Sequence, residues 1–271
     1  MSPDSEKNEA SPGVKGRFDE LYDREVSGGY AMEMRRLSYR IPDYLDAAQP
    51  YYEAFRAENP LQEGARLRMV DLCCGYGANS LIARYGLRDA AVFQWLEQPE
   101  PDSLQPSAHR WIESDSEIIG LDIAGNALEF GLAHNLFDHT ICRNLETGVL
   151  DARETRLVSE TDLLISTGSL SYISERTIEA LLAAIDPGRP VIGFFWPILG
   201  TDTTRIAEAF RRSGFSVTGD PTPLWQRRFK DEAERERFFG QFRSLGIEYG
   251  GTLAETGVCA SLLIVRRPGQ I

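Results

Sequence analysis

The chain has 271 residues, 42% hydrophobic and 26% charged, with a formal charge of −12 at neutral pH. That length and apolar content suffice for one full core with elaborations. The acidic balance argues against a nucleic-acid partner, whose affinity would come mainly from clustered Lys and Arg that release counterions, and apolar runs such as residues 191–199 fall far short of the roughly 20 residues that cross a bilayer.

Residues 1–13 are polar and read as a disordered tail without the apolar stretch of a targeting segment. Cysteines stand at 73, 74, 142 and 259. They read as small buried hydrophobes of a reducing compartment, so the expected location is cytoplasmic. Adjacent Cys73 and Cys74 lack the usual ligand spacing, and the three histidines (His109, His134, His139) complete no zinc pattern, so no metal is assigned.

Residues 14–60 read as a helical, aromatic-rich segment holding Phe18, Tyr22, Tyr30, Tyr39, Tyr44, Tyr51 and Tyr52 among several arginines. For any one of these tyrosines, packing onto the body is the plainer role. A strand is expected over 68–72, then a turn with Cys73, Gly75 and Gly77, then a helix over 78–86. Residues 87–116 form an insertion with proline-rich loops and the aromatic anchors Trp95 and Trp111.

Beyond it the pattern predicts strand 117–122, helix 125–135, strands 139–145 and 162–166, helix 175–185 and strand 190–196. Helices near 203–213 and 231–244 and a final strand at 258–266 follow. Ser174 reads as a helix N-cap and Asp186-Pro187-Gly188 as a stop. Strands apolar throughout, such as Ile118-Ile119-Gly120-Leu121, suit a parallel sheet covered on both faces. Alternation with helices makes that sheet doubly wound, an α/β fold.

The run Met-Val-Asp-Leu-Cys-Cys-Gly-Tyr-Gly-Ala-Asn-Ser from Met69 to Ser80 places an acid and bare peptide amides at the carboxyl end of a strand, where a polar ligand can be met. It resembles the nucleoside-binding signature of class I S-adenosylmethionine (SAM)-dependent methyltransferases, an acid followed by alternating glycines, with Cys73 in place of the first glycine. The dinucleotide fingerprint fits Gly75, Gly77 and Ser80 only loosely. The resemblance covers about residues 65–200. It implies a mostly parallel seven-stranded Rossmann-like sheet with an N-terminal helical lid over 14–60 and a SAM-binding α/β domain over 61–271.

The same resemblance implies the cofactor contacts. They are Asp71, Cys73, Gly75 and Gly77 in the first turn, Asp122 with Ile123 for the ribose, Asn144 and Leu145 for the adenine, and Thr167 on the fourth strand. Asp122 could equally cap the helix that begins near Gly125. Tyr172 is the candidate catalytic residue, at the rim where the transferred group faces its acceptor, and Tyr172, Trp196 or one of the N-terminal tyrosines could hold the sulfonium by a cation–π contact. The spacing of Asp71 and Asp122 exceeds the family's, and the excess maps to the insertion.

The implied activity is methyl transfer from SAM to a small-molecule acceptor, natural-product or amino-acid-like, as part of biosynthesis. No histidine is placed to serve as base, which keeps a second enzymatic reading open. In it the amino nitrogen of SAM attacks its own γ-carbon, giving azetidine-2-carboxylate and methylthioadenosine. Non-catalytic SAM binding is a third. Neither the acceptor nor the oligomeric state is legible.

Overall fold

Among the described residues seven strands form one sheet, in the spatial order β3 (His139–Cys142), β2 (Glu117–Asp122), β1 (Arg68–Leu72), β4 (Leu163–Thr167), β5 (Val191–Trp196), β7 (Gly257–Arg267) and β6 (Ser216–Arg228). The first five run parallel, and β7 lies antiparallel between β5 and β6. The computed structural model describes residues 19–22, 24–88, 90–113, 115–244 and 256–269, so the tail expected over 1–13 lies outside it. The expected α/β architecture is therefore present, with a mostly parallel doubly wound sheet.

Neighbouring strand residues send their side chains to opposite faces. Met69, Ile118, Leu163, Ile165 and Phe194 pack into one core layer, while Val70, Ile119, Leu164 and Phe195 pack into the other. Helices α4 (Ala78–Tyr85), α5 (Ala90–Glu97) and α6 (Gly125–Ala133) contribute to the first layer. The second is covered by α7 (Ala152–Val158), α8 (Glu175–Leu182) and α9 (Thr204–Arg212). Burial on both faces explains why the central strands carry no alternating polar residues.

Several elements differ from expectation. Strand β3 ends at Cys142 rather than at residue 145, leaving 143–144 irregular ahead of a turn at 145–147. Helix α7, not expected, opens on a capping box: the Asp151 side chain accepts from the N–H groups of Arg153 and Glu154, and Glu154 reaches back to the Asp151 N–H. The Asp-x-x-Glu spacing carried that signal. Strand β6 was also missed, because Gly219, Pro221 and Pro223 look like loop residues. It is an edge strand whose register shifts between Asp220 and Leu224, the kind of place where proline is tolerated.

The insertion holds more order than expected. It contains α5, which packs against α2 (Gly28–Arg36) of the N-terminal segment. Ser27 Oγ donates to the Leu96 carbonyl, Arg35 pairs with Glu97, and Tyr30 and Tyr39 both contact the Phe93 ring. The chain after α2 is pinned to β6 by two backbone bonds, from Arg40 N to Gln226 O and from Arg228 N to Leu37 O. Helices α1 (Asp19–Tyr22), α2 and α3 (Ile41–Glu58) are thus fastened at both sides. Among the described residues no helix is long and apolar enough to cross a membrane.

Candidate active site

A cavity of about 460 Å³ opens at the carboxyl ends of the parallel strands, beside the junction of β1 and β4. On either side of that junction the chain winds in opposite directions, which leaves a crevice above the strand ends. Four of the five parallel strands deliver residues to it: Leu72, Cys73 and Cys74 at the end of β1, Leu121 to Ala124 at the end of β2, Arg143 to Glu146 after β3, and Thr167 to Ser169 at the end of β4. The N-terminal segment closes the opposite side with Tyr22, Tyr30, Met34 and Tyr39, and Tyr172 and Arg227 complete the wall.

Asp122 is the fixed acid of this cavity. Its Oδ2 accepts from the Gly75 N–H at 2.9 Å and its Oδ1 from the Ala124 N–H at 2.9 Å. Burial raises its carboxyl above the ordinary value, and these backbone donors pull it back down. Ile123, by contrast, is 69% exposed beside it. Asn144 is exposed, with its Oδ1 accepting from the Glu146 N–H at 3.0 Å, and Leu145 is buried.

Asp71 does not line the cavity. It is fully buried, one oxygen accepting from Asn79 Nδ2 at 2.8 Å and the other without a partner. Thr167 Oγ1 in turn donates to Asn79 Oδ1 at 3.2 Å, so Asn79, which does line the cavity, bridges β1 and β4. Burial, followed by the nearby charge of Asp122 and against the Asn79 hydrogen bond, pushes the Asp71 carboxyl up to about 7. It lies behind Asn79, which lines the cavity.

The glycines have other neighbours than expected. Gly77 caps α4 at φ +82°, and a Cβ there would press on Leu136 and Phe137. Gly75 sits at φ +50° under the Tyr22 ring, whose Cε1 would lie 2.5 Å from an added Cβ. It leaves room for the covering helix. The neighbouring Tyr76 hydroxyl donates to the carbonyls of Leu21 and Arg24, fastening the same segment. Cys73, which replaces a glycine in the resemblance, holds φ +57° and keeps its side chain in the cavity wall.

Gly75→Ala should therefore both strain the turn, at about 1–2 kcal/mol for a left-handed residue, and displace Tyr22. Urea unfolding should show the loss, and limited proteolysis should cut faster within 19–24. Unchanged cleavage would separate Gly75 from the docking of that segment.

Trp196 is fully buried, stacked on Tyr44 with centroids 5.6 Å apart, and takes no part in the cavity wall. Tyr172 does, at 39% exposure. No histidine is among the lining residues: His134 contacts the rings of Phe130 and Trp95, with Nδ1 2.8 Å from the Phe130 carbonyl. Burial raises the lining phenols Tyr22 and Tyr39, and Tyr30 to about 12, so they stay protonated. Among the described residues no cluster of three or more His, Cys, Asp or Glu could hold a metal ion.

Three lining charges, Arg143, Glu146 and Arg227, are not among the residues singled out from sequence. Glu146 accepts from the Ser174 N–H and Oγ at 2.7 Å each and from Thr177 Oγ1 at 2.6 Å. Burial alone would raise its carboxyl, but these donors hold it below the ordinary value. Arg227 forms a bidentate pair with Glu234, at 2.8 and 2.6 Å, and both side chains are fully buried. No local pattern announced Glu146 or Arg227, since each pairing joins segments whose contact is set by the fold.

No protein-family model matches the chain, and no curated protein matches it. Among solved structures it is similar to the cyclase SpnF, with TM-score 0.43 and 15% identity over 86% of this chain and 87% of that one. It is also similar to phosphoethanolamine N-methyltransferase 2 of Haemonchus contortus, solved with phosphomonomethylethanolamine and S-adenosylhomocysteine (TM-score 0.41, 14% identity, 82% of this chain and 52% of that one). A third is the DhpI–SAH complex, with TM-score 0.40 and 14% identity over 94% and 100% of the two chains.

Proposed function

We propose that this chain, which has the class I methyltransferase fold, is a SAM-dependent enzyme that transfers the sulfonium methyl group to a small molecule. The observation that carries the reading is the cavity at the β1–β4 junction with Asp122 held rigid at the end of β2. Its volume falls in the range of about 300–1,000 Å³ usual for cofactor pockets. The donor set suits the nucleoside: a carboxylate for two ribose hydroxyls at Asp122, an apolar flank from Ile123 and Leu145, and the Asn144 amide for the adenine amino group.

Cys73 and Thr167 then bound the methionine portion, with Asn79 between them. Asp71 acts through Asn79 as a positioning residue. Tyr172 stands on the acceptor side, together with the tyrosines of the N-terminal segment. The work of such a site is alignment of the acceptor with the departing sulfur and exclusion of water, tasks that suit the fastened helices over the opening. The setting that goes with this reading is a cytoplasmic biosynthetic enzyme with no nucleic-acid or membrane partner.

Calorimetric titration with SAM should show saturable binding, and Asp122→Asn should weaken it about 10–100-fold, the worth of a charge-assisted hydrogen bond. No heat from the wild-type chain, or equal affinity in the variant, overturns the reading. Incubation with SAM alone distinguishes intramolecular cyclisation, which releases methylthioadenosine with no acceptor present.

A further inference from the structure

The charges around the cavity do not balance. Arg143 and Arg227 both line it, and each is already matched by a carboxylate: Arg143 by Glu154 at 2.7 Å and Arg227 by Glu234 at 2.6 Å. Asp122 and Glu146 also line it, and their hydrogen-bond partners are neutral: two backbone N–H groups for Asp122, and Ser174 and Thr177 for Glu146. The wall thus carries two negative charges with no cation assigned to them. SAM, with a sulfonium, an ammonium and a carboxylate, supplies one net positive charge. One negative charge is left for the second occupant, and in a partly desolvated site its field favours a cation over a neutral or anionic group.

The wall contributed by the N-terminal segment and by the loop after β4 is aromatic. Tyr22, Tyr30, Tyr39 and Tyr172 line it, with the Tyr22 and Tyr30 rings 4.9 Å apart. Phenol faces attract a cation through the ring quadrupole and add no charge of their own. They also supply no base, and no imidazole lines the cavity.

Resting on the SAM-dependent reading above, we propose that the acceptor is a small amine, cationic in solution, held by the faces of these tyrosines and by the unmatched carboxylate charge. An amine needs no strong enzymatic base. Its ammonium form loses a proton to water, and the nitrogen lone pair then forms the new C–N bond to the methyl carbon. The C–S bond breaks with its electron pair left on sulfur, and the methylated amine carries the positive charge away. A carboxylate or phosphate acceptor would meet two like charges and find both lining arginines already paired.

The experiment uses the whole chain saturated with S-adenosylhomocysteine. Skeleton-matched sets are titrated into it, each an amine, an alcohol and a carboxylic acid, beginning with phenethylamine, 2-phenylethanol and phenylacetate and extending to alkyl sets. The amine of at least one set should bind about tenfold or more tighter than its alcohol, as a desolvated cation–π contact predicts, and become methylated when SAM replaces the product nucleoside. Tyr39→Phe should keep that preference and Tyr39→Leu should lose it, with S-adenosylhomocysteine affinity in the same titration reporting that the fold is intact.

Alcohols or acids binding as tightly as their amines across all sets would overturn the proposal, as would methylthioadenosine formed from SAM alone. The parent reading fails separately and earlier, if S-adenosylhomocysteine itself gives no heat.

Discussion

Replacing Glu234 by alanine should destabilise the protein by roughly 3–5 kcal/mol, the cost of leaving a buried charge without its partner. Arg227 and Glu234 have no exposed side-chain surface. Beyond the bidentate contact, Glu234 Oε2 accepts from the Lys230 N–H at 2.7 Å, and Arg227 donates to the Arg228 carbonyl at 2.8 Å. Removing the carboxylate therefore strands a guanidinium in the wall between the cavity and α10 (Glu232–Ser244).

Urea denaturation of the Glu234→Ala variant should show the loss as a lower midpoint with little change in slope. The double variant Arg227→Met/Glu234→Leu should recover most of it, because an apolar pair of similar volume bears no desolvation penalty. A loss below about 1 kcal/mol in Glu234→Ala, within the range of an exposed pair, would mean that water reaches this pair in solution.

The second large effect concerns pH. Asp71 titrates near 7 in the folded chain against an ordinary value of 3.8, so the native state holds a proton that the unfolded state releases. In the window between those values the folded state binds more protons, and stability falls as pH rises through it. The full difference is on the order of 4 kcal/mol, from about three units at 1.36 kcal/mol each.

Asp71→Asn keeps an oxygen for the Asn79 amide and removes the titration. The stability of the variant relative to wild type should therefore increase from pH 5 to pH 8, measured as paired denaturation midpoints so that the background of a −12 chain cancels. A constant difference across that range would show that the carboxyl is already ionised at pH 5 in the folded chain.

Local chemistry made much of the fold and part of the site legible. The apolar runs of β1, β2, β4 and β5 reveal buried parallel strands because both faces are covered, and residues that follow a strand's end in sequence must sit at the sheet's carboxyl edge. The resemblance places Asp122, Ile123, Asn144, Leu145, Thr167 and Tyr172 on one rim, and all six line the cavity. Cys73 does as well.

Strand position places Asp71 at the end of β1, but its carboxylate turns to Asn79 in the next helix, a partner that local sequence does not reveal. Gly75 and Gly77 are legible as turn glycines, but what lies against each missing Cβ, Tyr22 for the first and Leu136 with Phe137 for the second, is brought from another element.

The amino-acid sequence by itself determined the alternation of strands and helices, the acidic net charge and the chain of polar residues at the strand ends, because periodicity and composition act over a few neighbouring residues. Only the tertiary structure decided that the insertion props the N-terminal helices, that four tyrosines share one wall, and that two arginines in that wall are already neutralised. Those outcomes depend on contacts between segments as far apart as Arg35 and Glu97 or Arg40 and Gln226. Such contacts are selected by the packing of the whole core and leave no periodic trace in the chain.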